Sequence, residues 1–428
     1  MRRWVLVVPF MFFACSGSQQ PTATVAVSSP VPDPDPASAP SPPVDAGSID
    51  PPPPVGDVPD AGMPADPPPQ KSCMAAQGGS DKLLVGADMT DGVAEQARFD
   101  IRYLYLAGGL GTGSCSNSPE WWGCWQDLSQ PPGQYLRDLL GKTKLPMVSY
   151  YELLQTSGVA EGKPEVAALT NGTLLKRYFD DWRFVLQQIG QGPALLHIEP
   201  DLWGYAQQAN SNPHALPAAV TSANPADCSA QENSVAGFAK CLIAMVRKYA
   251  PHAKVGLHAS AWASGIDGTS NSNPSVDMAA EARKVADYLL ALGGGDGDFV
   301  VVEASDRDAG WYQAQGAGNA FWDPANTTLP TFHQAFSWVT ALTERMNKPA
   351  LWWQLPLGNM SLPNVNLQWQ DNRVDYFFTH TDEVARTNAF AMVFGAGEDH
   401  QTNPSTDNGN FVKRVLALTA AGGQPVCP

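Results

Sequence analysis

The feature that most restricts the fold of this chain is a repeated alternation of short apolar segments with amphipathic segments of helix length. Short apolar runs bounded by turn residues predict buried strands. The predicted strands are Leu83–Asp88, Ile101–Ala107, Leu145–Tyr151, Ala194–Glu199, Lys254–Ala259, Asp298–Glu303, Pro349–Leu355 and Ala389–Phe394. The stretches between them predict helices, among them Leu174–Ile189, Val235–Tyr249, Met278–Leu292 and His333–Met346.

About eight repeats of strand and helix are typical of a (β/α)8 barrel, in which parallel strands close into a cylinder surrounded by helices. A doubly wound open sheet is the alternative, but no Gly-rich phosphate loop follows the first predicted strand. The run Gly108-Gly109-Leu110-Gly111 follows the second strand and is interpreted as a turn. The sequence therefore predicts an α/β protein with a single TIM-like barrel domain over residues 72–428.

The N-terminus has the pattern of an export signal. Met1-Arg2-Arg3 precede an apolar run from Trp4 to Phe13, as in a secretory signal peptide. The segment 12–16, Phe-Phe-Ala-Cys-Ser, resembles a bacterial lipobox whose cysteine, here Cys15, becomes lipidated. We expect residues 1–20 to be a signal peptide and the chain to be an exported lipoprotein, anchored in a membrane and facing the periplasm or the cell surface. Secretion without an anchor is the alternative.

Residues 21–70 have a composition unlike the rest of the chain. They contain 17 prolines, no aromatic residue, and no Lys or Arg. Such a segment cannot bury enough apolar surface to offset the entropy of ordering it, so we predict a disordered Pro-rich linker. Proline makes it a semi-rigid spacer between an anchor and the barrel.

The charge of the chain limits its partners. The formal net charge is −16, and binding to nucleic acid requires clustered Lys and Arg, so nucleic acid is not an expected partner. A neutral polysaccharide is compatible with this charge, although the charge alone does not select one. We expect the protein to be a monomer with two partners, a polysaccharide substrate and the membrane, which it contacts through the lipid anchor.

Cysteine usage also indicates export. Apart from Cys15, the chain has six cysteines, an even number suited to disulfides in an exported protein. The sequence does not determine their connectivity. Pairing near neighbours joins Cys115 to Cys124 and Cys228 to Cys241, and leaves Cys73 with Cys427 to connect the two ends of the domain.

The segment 195–205, Leu-Leu-His-Ile-Glu-Pro-Asp-Leu-Trp-Gly-Tyr, holds the first candidate site. Pro200 ends the strand because proline cannot donate a ladder hydrogen bond. Glu199 and Asp201 are two positions apart and face the same side if the chain stays extended. Carboxylates and aromatic rings at this end of a barrel strand are typical of sugar-cleaving sites. The alternative is that Asp201 caps the next helix beside a Glu199 buried in a salt bridge.

Other predicted strands end in similar residues. Hydrolysis of a glycosidic bond needs one carboxyl group to protonate the leaving oxygen and another to activate water or attack the sugar, and the candidates are Glu199, Asp201, Glu152 and Glu303. Predicted sugar contacts are Trp203, Tyr205, Tyr151, His258, Trp262, Trp311, Gln354, Asp88 and Glu398. The sequence shows no clear metal-ligand motif, no nucleotide motif and no G-x-S-x-G elbow. We therefore predict no metal, no cofactor and no serine hydrolase.

Three segments resemble family 6 glycoside hydrolases, the cellobiohydrolases and endoglucanases. Segment 194–202 resembles that family's apolar strand followed by Glu-Pro-Asp, and segment 258–262, His-Ala-Ser-Ala-Trp, resembles its His-Ala-Gly-Trp motif. Segment 394–399, Phe-Gly-Ala-Gly-Glu-Asp, is similar to its Pro-Gly-Glu-x-Asp-Gly loop. The resemblance implies action on a β-glucan by inversion, with Asp201 supporting the general acid and Trp262 as an aromatic sugar subsite.

The chain departs from this family at the position of the general acid. The family has an Arg-Asp-Cys loop there, and this chain has Tyr151-Glu152-Leu153-Leu154, so Glu152 is proposed as the acid from its location alone. Other barrel glycosidases, which are retaining, end the seventh strand in a Glu, where this chain has Gln354.

Two functions follow from these observations. The first is an exported glycoside hydrolase that acts on a cellulose-like polysaccharide through paired carboxylates at the barrel mouth. The alternative, motivated by the two departures, is a non-catalytic glycan-binding surface lipoprotein with a degenerate barrel. A scaffold lipoprotein without a ligand would require the tryptophans to be buried rather than to line a cleft.

Overall fold

A computed structural model describes residues 74–111, 114–116, 120–126, 128–395 and 397–427. It contains eight parallel strands in a closed barrel, in which each strand pairs with the next along the chain and the last pairs with the first. The strands are β1 Leu84–Ala87, β2 Ile101–Leu106, β3 Leu145–Tyr150, β4 Leu195–Ile198, β5 Lys254–Ala259, β6 Phe299–Glu303, β7 Ala350–Leu355 and β8 Ala389–Phe394. The predicted (β/α)8 barrel and its eight strands are confirmed.

Helices lie between the strands throughout the described part of the chain. The α-helices are α1 Asp91–Ala94, α2 Gln134–Lys142, α3 Leu153–Ser157, α4 Lys163–Ala168, α5 Gly172–Ile189, α6 Leu202–Ala209, α7 Val220–Ala223, α8 Val235–Tyr249, α9 Met278–Ala291, α10 Ala309–Ala314, α11 Phe332–Met346, α12 Arg373–Thr379, α13 Thr381–Arg386 and α14 Asn410–Ala420. Short 3₁₀ turns occupy Ala75–Gly78, Trp122–Cys124, Pro213–Ala215 and Gly294–Asp296. The four helices predicted by name are confirmed to within two residues at each end.

The long helices begin where a polar side chain can accept hydrogen bonds from free backbone N–H groups. The Asn171 side chain accepts from the backbone of Thr173 and Leu174 at 3.1 Å, which caps α5. Ser234 caps α8, and Thr331 caps α11, in the same way. Each cap satisfies donors that the first helical turn leaves unpaired, so the start of each helix is encoded locally.

The strands separate an inner layer from an outer layer. Trp352 packs outward between the Phe336 and Phe377 rings, with centroids 5.8 and 5.1 Å away. Its neighbour Trp353 points into the barrel, where its ring lies 4.5 Å from that of His197. Adjacent residues of a strand face opposite sides, so the two tryptophans of β7 serve two different layers, as their adjacency predicts.

Two of the predicted disulfides are present. Cys115 is bonded to Cys124, and Cys228 to Cys241. Cys427 is also disulfide-bonded, while its expected partner Cys73 lies outside the described residues. The predicted signal peptide with Cys15 and the predicted linker lie outside them too. Among the described helices, none is both long enough and apolar enough to cross a bilayer.

Candidate active site

The turn after β4 separates the roles of two neighbouring acids. Glu199 has φ 46° and Asp201 has φ 67°, both in the left-handed region that non-glycine residues rarely adopt. The chain therefore does not stay extended here, and the condition under which Glu199 and Asp201 would face the same side is not met. Glu199 is fully buried behind the barrel end, and Asp201 faces a cleft at the barrel mouth.

Glu199 is held by three donors. Its Oε1 accepts from the Tyr178 hydroxyl at 2.6 Å and from the backbone N–H groups of Glu152 and Leu153 at 3.1 and 3.2 Å. Burial raises the pKa of Glu199 to about 7, and these donors act against that rise. The side chain does not line the cleft. Glu199 therefore positions the turn that carries Asp201, and its predicted catalytic role is not supported by this placement.

Glu152 lies in the same buried layer. Its Oε2 accepts from the backbone N–H of Gly109 at 2.8 Å, and the side chain is absent from the cleft wall. Burial raises the pKa of Glu152 well above its usual range, and the charge of Asp181 adds to the effect. The prediction of Glu152 as the general acid fails on geometry, because a buried carboxyl outside the cleft cannot reach a glycosidic oxygen.

Asp201 and Glu303 are the predicted catalytic residues that the fold brings together in the cleft. Glu303 ends β6, and an oxygen of its carboxylate lies within 4.8 Å of an Asp201 oxygen. The Asp201 side chain is 30% exposed and that of Glu303 is 17% exposed, so both can be reached from the cleft. Ser260, which follows β5, donates from its Oγ to Asp201 Oδ1 over 3.3 Å.

Burial and mutual proximity perturb both acids. Burial raises the pKa of Asp201 to about 6, with a further contribution from the Glu161 carboxylate. Burial also raises the pKa of Glu303 well above its usual range, and the Asp201 charge increases the shift. Two carboxylates this close cannot both ionise without repulsion, so the pair favours one protonated and one ionised member at neutral pH.

His258 lies beneath the pair. Its Nε2 is 3.9 Å from both Asp201 Oδ1 and Glu303 Oε2. Its Nδ1 is 3.1 Å from Nε2 of His197, and His197 Nδ1 is 2.9 Å from the Ser149 hydroxyl oxygen. Burial lowers the pKa of His258 to about 3, so the ring is neutral. A chain of three polar side chains therefore runs from the barrel interior to the floor of the cleft.

The cleft that receives these groups has a volume of about 1640 Å³ and spans the mouth of the barrel. Rings from several strand ends form one wall, in which Tyr205 and Trp262 have centroids 4.6 Å apart. Tyr105 contacts both Tyr151 and Trp353, at 5.9 and 5.8 Å between centroids. Flat apolar faces beside carboxylates match the amphipathic surface of a sugar ring.

The structure sorts the other predicted sugar contacts into two groups. Residues that line the cleft are Tyr151, Tyr205, Trp262, Gln354, Asp88 and Glu398. Trp203 does not, because its ring is buried near Phe238 and its Nε1 donates to the Ile198 carbonyl at 2.9 Å. Trp311 also lies outside the wall, with the Arg307 guanidinium 5.0 Å from its ring centre. His258 is buried below the cleft floor. The prediction that Trp203, Trp311 and His258 contact the sugar directly is therefore wrong, because none of the three lines the cleft.

Tyr105, Trp353, Asp267 and Arg307 line the cleft but were not among the predicted contacts. A signal for Tyr105 existed, since Tyr103 and Tyr105 alternate along β2 and therefore face the same interior side. Asp267 and Arg307 lie in loops, where spacing carries no such information.

Nine carboxylic acid side chains and three arginines line the cleft. Each arginine is paired with an acid: Arg102 with Asp91 at 2.9 Å, Arg307 with Glu398 at 2.6 Å, and Arg373 with Asp371 at 2.6 Å. No lysine lines the cleft among the residues that the structure describes.

No protein-family model matches the sequence, and no curated protein matches it. Solved structures do show similarity at low identity. The endoglucanase Cel6 of Mycobacterium tuberculosis is 12% identical with a TM-score of 0.31, over 68% of this chain and 72% of that one. An endo-β-1,4-mannanase of Cellulomonas fimi is 11% identical with a TM-score of 0.45, over 80% and 73%. The carboxyl transferase domain of Rhizobium etli pyruvate carboxylase is 9% identical with a TM-score of 0.36, over 82% and 50%.

Proposed function

We propose that this protein is an exported glycoside hydrolase that cleaves a polysaccharide in the cleft at the barrel mouth. The observation that carries the proposal is the pair formed by Asp201 and Glu303, two partly exposed carboxylates within 4.8 Å beside a wall of aromatic rings. A cellulose-like β-glucan is the substrate class that the sequence resemblance implies. Lipid anchoring through Cys15 belongs to the same proposal.

In the proposed mechanism, Glu303 protonates the leaving oxygen and Asp201 attacks the anomeric carbon. Glu303 has the more strongly raised pKa and holds the proton, whereas Asp201 accepts from Ser260 and is the ionised member above pH 6. Carboxyl groups of retaining enzymes are ~5–5.5 Å apart, and those of inverting enzymes ~6.5–9.5 Å. The short separation here favours retention, in contrast to the inversion that the family resemblance implies.

The test is reducing-sugar release by the purified protein from a panel that includes β-1,4-glucan and β-mannan. We expect activity on one polysaccharide and a loss of roughly a hundredfold or more in Asp201→Asn and in Glu303→Gln, the scale of general acid–base catalysis. Glu95→Gln, at an exposed acid outside the cleft wall, is the matched control and should leave the rate unchanged.

The two functions predicted from the sequence give different results in this assay. Binding of one glycan without release of reducing ends, equally in the wild type and the two variants, would support the non-catalytic binding protein and overturn the hydrolase. For an active enzyme, NMR of the first product anomer distinguishes retention from inversion, and an inverted product would contradict the roles given to Asp201 and Glu303.

A further inference from the structure

The floor of the cleft combines two carboxylates and an imidazole whose donor atoms converge. One ligand atom each from Asp201, His258 and Glu303 lies within 4.8 Å of the other two. Among the described residues, one group of three or more acidic, histidine or cysteine side chains has ligand atoms close enough together to hold a metal ion, and it is this one. The spacing alone does not indicate an ion, since acidic side chains also gather without one.

His258 provides the second, independent observation. The residue is 1% exposed, and its buried Nε2 has no hydrogen-bond partner among the described residues, although it points between the two carboxylates. A buried polar atom without a partner carries an uncompensated desolvation penalty. A ligand held between Nε2 and the two carboxylates would remove that penalty.

The hydrogen bonds behind His258 suit a metal-binding imidazole. If His258 Nδ1 donates to His197 Nε2, then His197 Nδ1 donates to the Ser149 oxygen, and both distances fit, at 3.1 and 2.9 Å. In this arrangement the lone pair of His258 Nε2 faces the carboxylates. Histidines that bind metals commonly donate their other ring N–H to a buried acceptor, which fixes the tautomer and the ring orientation.

We propose that Asp201, His258 and Glu303 bind one divalent transition-metal cation, with Zn²⁺ as the matching probe. Imidazole and carboxylate are both ligand types of Zn²⁺, and three protein ligands leave an open fourth position, whereas Mg²⁺ and Ca²⁺ prefer oxygen ligands alone. Bonds of ~2.1 Å meeting at a tetrahedral angle put ligand atoms roughly 3.4 Å apart. The observed separations are 3.9 Å from Nε2 to each carboxylate and at most 4.8 Å between the two carboxylates, so each side chain would need to move by less than about 1 Å.

The proposed ion has a consequence for hydrolysis, and this part alone rests on the proposed function. A cation coordinated by both carboxylates would leave neither Asp201 free to attack the sugar nor Glu303 free to carry a proton. Zn²⁺ binding and glycoside cleavage therefore compete, and Zn²⁺ should inhibit hydrolysis over the concentration range in which it binds.

The test measures Zn²⁺ binding without any substrate, so its outcome is separate from that of the activity assay. Metal-free full-length protein is titrated with Zn²⁺ by calorimetry, and bound metal is counted after dialysis. We expect one site per chain whose affinity falls at least tenfold in Asp201→Asn, Glu303→Gln and His258→Gln. Cys15 is common to all these proteins, so any contribution from this residue cancels in the comparison.

His333→Gln is the matched control, because His333 forms an exposed pair with Glu383, 3.2 Å away on the protein surface. It should retain the affinity of the wild type. Circular dichroism checks that each variant is folded. If His258→Gln does not fold, the isosteric Asp201→Asn and Glu303→Gln variants are enough to test the site. A folded Asp201→Asn or Glu303→Gln protein that binds Zn²⁺ as tightly as the wild type would overturn the site, as would a wild type that binds none.

Discussion

Glu165 of α4 is a buried carboxylic acid without a charged partner of opposite sign among the residues that the structure describes. The residue is fully buried, and neither carboxylate oxygen has a hydrogen bond of ordinary geometry within the described structure. Burial raises the pKa of Glu165 to about 8, and the Glu199, Glu161 and Asp201 carboxylates add to the shift. Between pH 4.5 and 8 the folded protein therefore holds a proton that the unfolded chain releases, and folding stability falls as pH rises through this window.

Glu165→Gln should remove the part of the pH dependence of stability that Glu165 contributes. At pH 5 the variant and the wild type should unfold at similar denaturant concentrations, because the wild-type acid is protonated in the folded state. At pH 8 the variant should be more stable by roughly 2–4 kcal/mol, since the amide carries no charge to bury. Denaturant unfolding at both pH values measures the difference, with Glu95→Gln as an exposed control. An equal change at pH 5 and pH 8 would contradict the assignment.

Two buried tyrosines with different surroundings provide a matched pair. The Tyr178 hydroxyl donates to Glu199 at 2.6 Å, whereas the Tyr288 hydroxyl has no hydrogen-bond partner among the described residues. Tyr178→Phe should lower the free energy of unfolding by about 1–3 kcal/mol, because it leaves a buried carboxylate short of a donor. Tyr288→Phe should be neutral or stabilising in the same unfolding experiment. Equal losses in the two variants would contradict a stabilising role for the hydrogen bond between Tyr178 and Glu199.

At the scale of elements, the strands of the barrel were predictable from the sequence, but the backbone conformation at the turns that follow them was not. Short apolar runs and repeated helix periodicity lead directly to eight parallel strands, because strands covered on both faces must be apolar. The direction of Glu199 and Asp201 depends on left-handed backbone angles that no pattern of residue types encodes. Gln354 is similar, with φ 53° at an irregularity in the pairing of β7 with β8. Trp121 and Trp122 donate to buried Asp181, a role that only tertiary contacts define.

Helix α6 lies close to the segment that follows β5, and Gly204 makes this approach possible. A Cβ added at Gly204 would lie 2.7 Å from the Trp262 ring and 2.8 Å from Ser260 Oγ. Gly204→Ala should therefore displace the cleft wall, cost about 1–3 kcal/mol of stability and weaken the proposed glycan binding. Gly141→Ala in α2 is the control, because a Cβ there meets nothing within 4 Å and alanine favours a helix. A Gly204→Ala protein as stable as the wild type would contradict close packing here.

At the scale of the whole molecule, disulfides covalently link segments that lie outside the strands. The Cys228–Cys241 bond joins the loop before α8 to α8 itself, and Cys115–Cys124 closes the loop after β2. Covalent closure of such loops restricts the unfolded chain more than the folded one. Disulfides of this kind form in oxidising compartments, in agreement with the export that the N-terminal sequence predicts.

Replacing Cys228 and Cys241 together by Ser should lower the free energy of unfolding by about 2–4 kcal/mol while the barrel still forms. Thermal unfolding under oxidising conditions measures the loss, and the same scan with a reductant added should bring the wild type close to or below the variant. A variant that matches the oxidised wild type would show that the native contacts of α8 hold the loop without the covalent bond.

The paired arginines leave the cleft wall with an excess of negative charge. Because Arg102, Arg307 and Arg373 are each neutralised by an acid, the remaining carboxylates give the groove a negative potential. The negative potential lies at the entrance to the barrel, where it repels anions and attracts cations. For a polysaccharide ligand, we expect this potential to disfavour polyuronates and sulfated glycans relative to uncharged chains and amine-bearing sugars, and we expect added salt to weaken the difference.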